Sequence, residues 1–197
     1  MTPDASENVV YLRSYGEHDR DDHEVVRRVL DATAEMLRER PFTDLTTRRV
    51  AERAGVPHSD VCAYFRSPDA IVAELYLGVL RDAPLSVDVE LPARTRVVAL
   101  FGQLVMLLAD EPGFAAACSS ALISTEPSVR AIRRRIHAEL QRRVRTVLGS
   151  GAWPELAETL EFGLVGAMVQ ASSGAATFTQ TADELAGVVA AVLPDEH

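Results

Sequence analysis

His58 and Cys62 stand four residues apart in the stretch Gly55–Ala70, GVPHSDVCAYFRSPDA. On a helix that spacing places imidazole and thiol on one face, the arrangement of a metal-ligand pair. Two ligands do not make a zinc site, and the chain offers no clear third. A thiol sensor is the other chemistry open to Cys62, set against inert packing, the usual state of a single thiol. A second tract, HDRDDH from His18 to His23, interleaves His and Asp as metal-binding tracts do. The same composition reads as a solvated acidic tail. Neither a nucleophile elbow, a phosphate loop nor a paired-carboxylate helix motif occurs, so no catalytic residue, metal or cofactor is expected.

What remains for the stretch is presentation of polar groups, and that depends on the elements around it. Val26, Val29, Leu30, Thr33, Met36 and Leu37 recur at three- and four-residue spacing, a helical stripe starting near His23. Pro41 ends it. Thr46 caps a second helix with Val50, Ala51 and Ala54 facing inward, and Gly55 stops it. A short helix follows from about Pro57 to Phe65. Ser67 then caps a longer one with Pro68 at its first position and Asp69 in its first turn. Helix, tight glycine turn and second short helix, supported by a third, form the layout of a helix-turn-helix. Small Ala51 and Ala54 let the helices cross closely, while Val61 and Phe65 anchor the back of the second. His58, Ser59 and Cys62 are left projecting from its N-terminal half, where base edges in a major groove would be met.

On these residues the chain resembles the TetR family of transcriptional regulators. The match is carried by Phe42, Thr46-Thr47, Val50-Ala51, Ala54-Gly55-Val56, Tyr64-Phe65, Ser67, Asp69 and Ile71, over about Val25 to Leu80. The resemblance implies DNA contacts from Arg27, Thr47, Arg48, Arg49, Pro57, His58, Ser59, Asp60, Cys62, Tyr64 and Arg66. Three positions depart from the family pattern. Cys62 replaces a phosphate-contacting tyrosine, Asp60 puts an anion where a small residue faces the backbone, and Pro68 replaces a lysine. Phosphate contacts supply most of the salt-dependent affinity, so the departures shift the burden to Arg27, Arg28, Arg48, Arg49, Arg66 and Thr47. Asp60 is also able to accept from a cytosine amino group or to cap its own helix.

The rest of the chain reads as helices opened by Pro92 (running to about Asp110), Pro112, Glu126-Pro127 and Pro154, with a last one at about Asp183–Leu193. No hairpin chemistry or period-2 alternation marks a strand, so the expected fold is all-α with about nine helices. Residues 1–22 read as a disordered acidic arm, 23–67 as the helix-turn-helix domain, and 68–197 as a helical regulatory and dimerisation domain. Phe101, Leu104, Val105, Leu108, Phe114, Cys118, Leu122, Phe162, Met168 and Gln170 fall on inward stripes, which packing alone explains. The family resemblance implies that such helices enclose a cavity for a small apolar or amphipathic effector. It also implies a homodimer through the last two helices. The small residues Gly163, Gly166, Ala167 and Ala171 suit close helix approach there. Seven arginines between Arg130 and Arg145 read as a solvated face, a partner for the acidic C-terminal region, or a second nucleic-acid patch.

The 197 residues carry a net charge of -9, and all 20 cationic side chains are arginine. The charge is uneven. Residues 1–22 carry -4 and 148–197 carry -7, whereas 23–66 and 67–147 each carry +1. Two cysteines argue for a reducing compartment, and neither a basic, apolar leader nor an apolar run of about 18 residues occurs. A cytoplasmic protein without membrane association is expected. The expected function is a homodimeric regulator, a repressor on a palindromic double-stranded operator, released by its effector. The alternative is a dimer with weakened operator binding that serves as a sensor or interaction module.

Overall fold

A computed structural model describes residues 5–84, 87–149 and 153–193, with side chains from residue 22 onward. Among the described residues there are nine α-helices and no strand: α1 (Ala5–Glu39), α2 (Thr47–Ala54), α3 (His58–Tyr64), α4 (Pro68–Asp82), α5 (Ala93–Met106), α6 (Pro112–Ile123), α7 (Pro127–Leu148), α8 (Pro154–Ser172) and α9 (Phe178–Val192). A 3-10 turn at Phe42–Asp44 joins α1 to α2. No helix among these residues is long and apolar enough to cross a membrane.

Local chemistry sets the boundaries of the first four helices. Thr46 accepts the backbone N–H of Arg49 at 3.2 Å and starts α2. Gly55 stops it in the left-handed region, φ 63° and ψ 38°, where a side chain is strained. There the N–H of Val56 returns to the Ala51 carbonyl at 3.1 Å, closing the helix end. Ser67 caps α4 through the Ala70 N–H at 3.2 Å, with Pro68 in its first turn. α1 begins upstream of the His23 start that periodicity suggests, passing through the residues read as an arm. Its core contacts come from Val29, Ala32, Met36 and Leu37.

Val29, Val50, Val61 and Phe65 close the core beneath α3. α4 joins this unit to the remainder, with Ile71, Val72, Ala73 and Leu77 fully buried against α1, α6 and α7. At the other side α5 packs on α7 and α9, and α8 on α7 and α9. Where α1 meets α6, a Cβ added at Gly113 would lie 2.4 Å from the Leu37 carbonyl oxygen, so the two backbones touch directly.

Two helices differ from their sequence boundaries. α5 ends at Met106, not near Asp110, because the chain tightens into turns (Ala109 N–H to Met106, Glu111 N–H to Leu108). α9 begins at Phe178, five residues ahead of Asp183, because Thr177 and Gln180 form a reciprocal capping box at 3.1 Å in both directions.

The arginine-rich α7 is not a uniformly solvated face. Arg143 is 2% exposed. Its Nε donates to Glu139 at 2.8 Å, and its Nη2 donates to the carbonyls of Leu80, Arg81 and Ala83 that end α4. Arg135 pairs with Glu74 at 2.7 and 2.9 Å, and Arg133 donates to the Leu122 carbonyl at 2.9 Å. Among the described residues these arginines thus bind α4, α6 and α7 itself rather than the acidic C-terminal region.

Candidate nucleic-acid interface

α3 keeps Val61 wholly buried and turns His58, Ser59, Cys62 and Ala63 outward, with Pro57 exposed at its N-cap. His58 holds a small polar network: its Nε2 lies 3.0 Å from Thr47 Oγ1 and 3.3 Å from Cys62 Sγ. The start of α2 and the outer face of α3 are therefore joined through one imidazole. Ser59 donates to Asp60 at 3.1 Å, which turns both polar groups toward each other. Tyr64, 40% exposed, donates its hydroxyl to Asp22. That bond, with the nearby Asp22 charge, pushes the phenol up to about 12.

The cations around this face differ in freedom. Arg27 is clasped by Glu24 at 2.6 Å and Asp31 at 3.0 Å. Arg28 points away from the face and donates to the carbonyls of Ala54 and Gly55. Arg49 is exposed and donates to the Asp44 carbonyl at 2.9 Å, keeping its charge uncompensated there. Arg48 and Arg66 are exposed and have no ion-pair partner among the described residues. The cations around this face without a carboxylate partner among the described residues are thus Arg48, Arg49 and Arg66, flanking α3 rather than standing on it. No cluster of three metal-ligating side chains occurs among the described residues. His58 and Cys62 face each other, and the side chains of residues 18–21 lie outside the described residues.

Sequence reasoning did not find two of these contacts. The Arg28 bond to the turn and the Tyr64–Asp22 bond span 27 and 42 residues and leave no periodic signal.

Comparison with known proteins agrees with this geometry. Residues 29–75 match the family described as bacterial regulatory proteins, tetR family. An uncharacterized HTH-type transcriptional regulator of Mycobacterium tuberculosis is 42% identical over 169 residues, 85% of this chain and 79% of that protein. The chain belongs to the TetR family of DNA-binding transcriptional regulators. A TetR transcriptional regulator from Rhodococcus sp. RHA1 shares the fold with a TM-score of 0.76 at 14% identity, over 92% of this chain and 99% of the other. BioQ, solved with its natural double-stranded DNA operator, aligns with a TM-score of 0.58 at 20% identity, over 84% and 98%.

In the second half of this TetR-family regulator, a cavity of about 120 Å³ lies between α4, α6, α7 and α8. It is lined by Tyr76, Leu108, Cys118, Ser119, Leu122, Ile123, Ile136, Leu140, Leu164, Val165, Met168 and Val169. Of the residues read as effector contacts, Leu108, Cys118, Leu122 and Met168 meet there. Leu104 instead lines a separate hollow of about 330 Å³ with Leu100, Leu107 and Arg143. Phe101, Val105 and Phe114 are buried and line neither space. Phe162 is 75% exposed and Gln170 is exposed, both on the outer side of α8. α8 carries apolar residues on two faces, and periodicity alone does not say which turns inward. Its exposed stripe of Phe162, Val165 and Val169, the two valines also forming the rim of the cavity, continues onto α9 at Val188.

Proposed function

We propose that this regulator acts as a homodimeric repressor on a palindromic DNA operator and is released by a small apolar or amphipathic effector. The observation that supports it best is that α4 and α6 serve both halves. They wall the cavity through Tyr76, Cys118 and Ser119, and they pack on α1 of the helix-turn-helix. An occupant that prefers one arrangement of these helices shifts the population toward it, and with it the separation of the two α3 helices. The outer α8–α9 stripe, with Gly166 and Gly187 open to close approach, supports a two-fold contact between protomers. In this reading residues 23–67 read DNA, residues 68–197 bind effector and partner, and the protein works in the cytoplasm. The DNA contacts are Arg48, Arg49, Arg66 and Thr47 at the flanks, with Pro57 at the N-cap of α3 and His58, Ser59 and Cys62 on it; Arg27 joins by exchanging its carboxylates for phosphate.

A second reading has an observation of its own. Asp60 and Cys62 occupy the face of α3, and neither supplies a phosphate donor comparable to a tyrosine or lysine. A dimer that senses its effector without holding an operator tightly is consistent with that surface. Selection from a randomised duplex pool at two salt concentrations separates the two. Recovery of a palindrome bound at nanomolar concentration near physiological salt supports the repressor. Weak binding of every sequence, vanishing with salt, rejects it and supports the second reading.

A further inference from the structure

The Tyr64 hydroxyl, which the family resemblance puts among the DNA contacts, is already taken within this chain. It donates to the carboxylate of Asp22, 42 residues earlier on α1. The fold holds Asp22 at that place. Asp22, Val29 and Met36 stand seven residues apart, close to two helical turns, so they share one side of α1. Val29 and Met36 are buried in one core with Val61 of α3 and Phe65 at its end. Arg28 fastens the same helix to the turn before α3 through the Ala54 and Gly55 carbonyls. The packing of α1 on α3 therefore delivers the half-buried Asp22 to the last residue of α3.

A phenol has a single O–H to donate. Carboxylate and phosphate both offer anionic oxygens to that one donor, so they exclude each other. Asp60, one turn back on α3, adds a second negative charge near the phenol. We infer that Asp22 is an internal competitor of DNA: its carboxylate occupies the phosphate site at Tyr64, and the DNA backbone gains that contact only by displacing it. The inference rests on the reading of α2 and α3 as the DNA-reading face and adds a restraint built into that face. Phosphate carries no sequence, so the restraint lowers affinity for every duplex alike.

The test is a double-mutant cycle on the full chain, read by fluorescence anisotropy of a mixed-sequence duplex. It compares the unaltered chain, Asp22→Ala, Tyr64→Phe and the variant with both changes. Asp22→Ala is expected to bind about three- to ten-fold tighter, the scale of one charge-assisted hydrogen bond weakened by exposure to water. Tyr64→Phe alone is expected to leave affinity nearly unchanged, because its hydroxyl is already held. In the Tyr64→Phe background most of the gain from Asp22→Ala should vanish. An equal gain in both backgrounds would show that Asp22 acts by charge alone. Weaker binding by Asp22→Ala would show that it positions Tyr64 for DNA, and unchanged binding that the hydroxyl meets no phosphate. Each of these three results overturns the inference. If none of the four proteins binds the duplex, the DNA-reading face itself fails; if all bind without coupling between the two positions, only the competitor does.

Discussion

Arg28 in α1 donates from its Nη2 to the Gly55 carbonyl at 2.9 Å, at the turn joining α2 to α3. The same nitrogen also reaches the Ala54 carbonyl, so one guanidinium satisfies two carbonyls at the end of α2. A cation at a helix C-terminus is further favoured by the helix dipole. The turn that aims α3 is thereby fastened to the first helix by a residue that the family resemblance suggests as a phosphate contact.

Arg28→Ala is therefore expected to lower stability by about 1–2 kcal/mol, read from urea unfolding of the full chain. Non-specific DNA affinity should change no more than this loss of order explains, and its salt slope should stay the same. A slope reduced by about one would mean that Arg28 contacts phosphate after all.

Glu139 supplies a pH-dependent contribution. The hydrogen bond from Arg142, then that from Arg143, holds its carboxyl at about 2, against a usual 4.5. The folded value is the lower one, so the stabilisation is complete above about pH 4.5 and is lost as pH falls toward 2. Glu139→Gln leaves the buried Arg143 without its carboxylate, at a cost of about 3 kcal/mol near neutral pH. Unfolding measured near pH 7 and again near pH 3 should show the gap between the two proteins narrowing in acid. An equal gap at both would show that the charge of Glu139 is not what the fold depends on.

Phe162→Glu tests the outer face of α8. Since Phe162 is 75% exposed, the change should leave helicity and unfolding of the protomer nearly unaltered. Placed in a two-fold contact, the carboxylate would meet its own copy and desolvate, so sedimentation velocity should show monomers where the unaltered chain is expected to show dimers. Persistence of the dimer would remove this stripe from the interface.

Cys62→Tyr tests the grip on phosphate. It adds a hydroxyl donor at the outward face of α3 and removes the Cys62–His58 contact. Tighter binding to all duplexes alike, with the salt slope unchanged because the added donor is neutral, is the expected result in filter binding or fluorescence anisotropy. Affinity that does not move would show that no phosphate passes this position.

The first four helices were legible because their boundaries are local events. Thr46, Gly55 and Ser67-Pro68 each act on backbone groups within a few residues, and their types disclose the act. The start of α9 was as local, yet Thr177 and Gln180 lie just after a Gly-Ala-Ala stretch that reads as loop. Arg143 and Arg142 look alike in sequence; only the carbonyls of Leu80 and Ala83, some sixty residues away, make one of them belong to the core. The cavity was half legible for a related reason. Periodicity marks Leu108 and Val105 alike as inward, but which inward side chain borders a void depends on how neighbouring helices fail to fill it. Phe162 shows the limit: with two apolar faces on α8, the pattern carries no sign of inside or outside.

Gly113 and Leu37 meet with no side chain between them. A contact cushioned by side chains can yield by changing rotamers, whereas two main chains in touch have no such slack. The joint between α1 and α6 is stiff. Along the α6 rod, Ser119 stands only about 9 Å from that joint at 1.5 Å per residue. A shift of the cavity wall there must either carry the end of α1 with it or pull the touching backbones apart, so the joint behaves as a hinge pin rather than a spring.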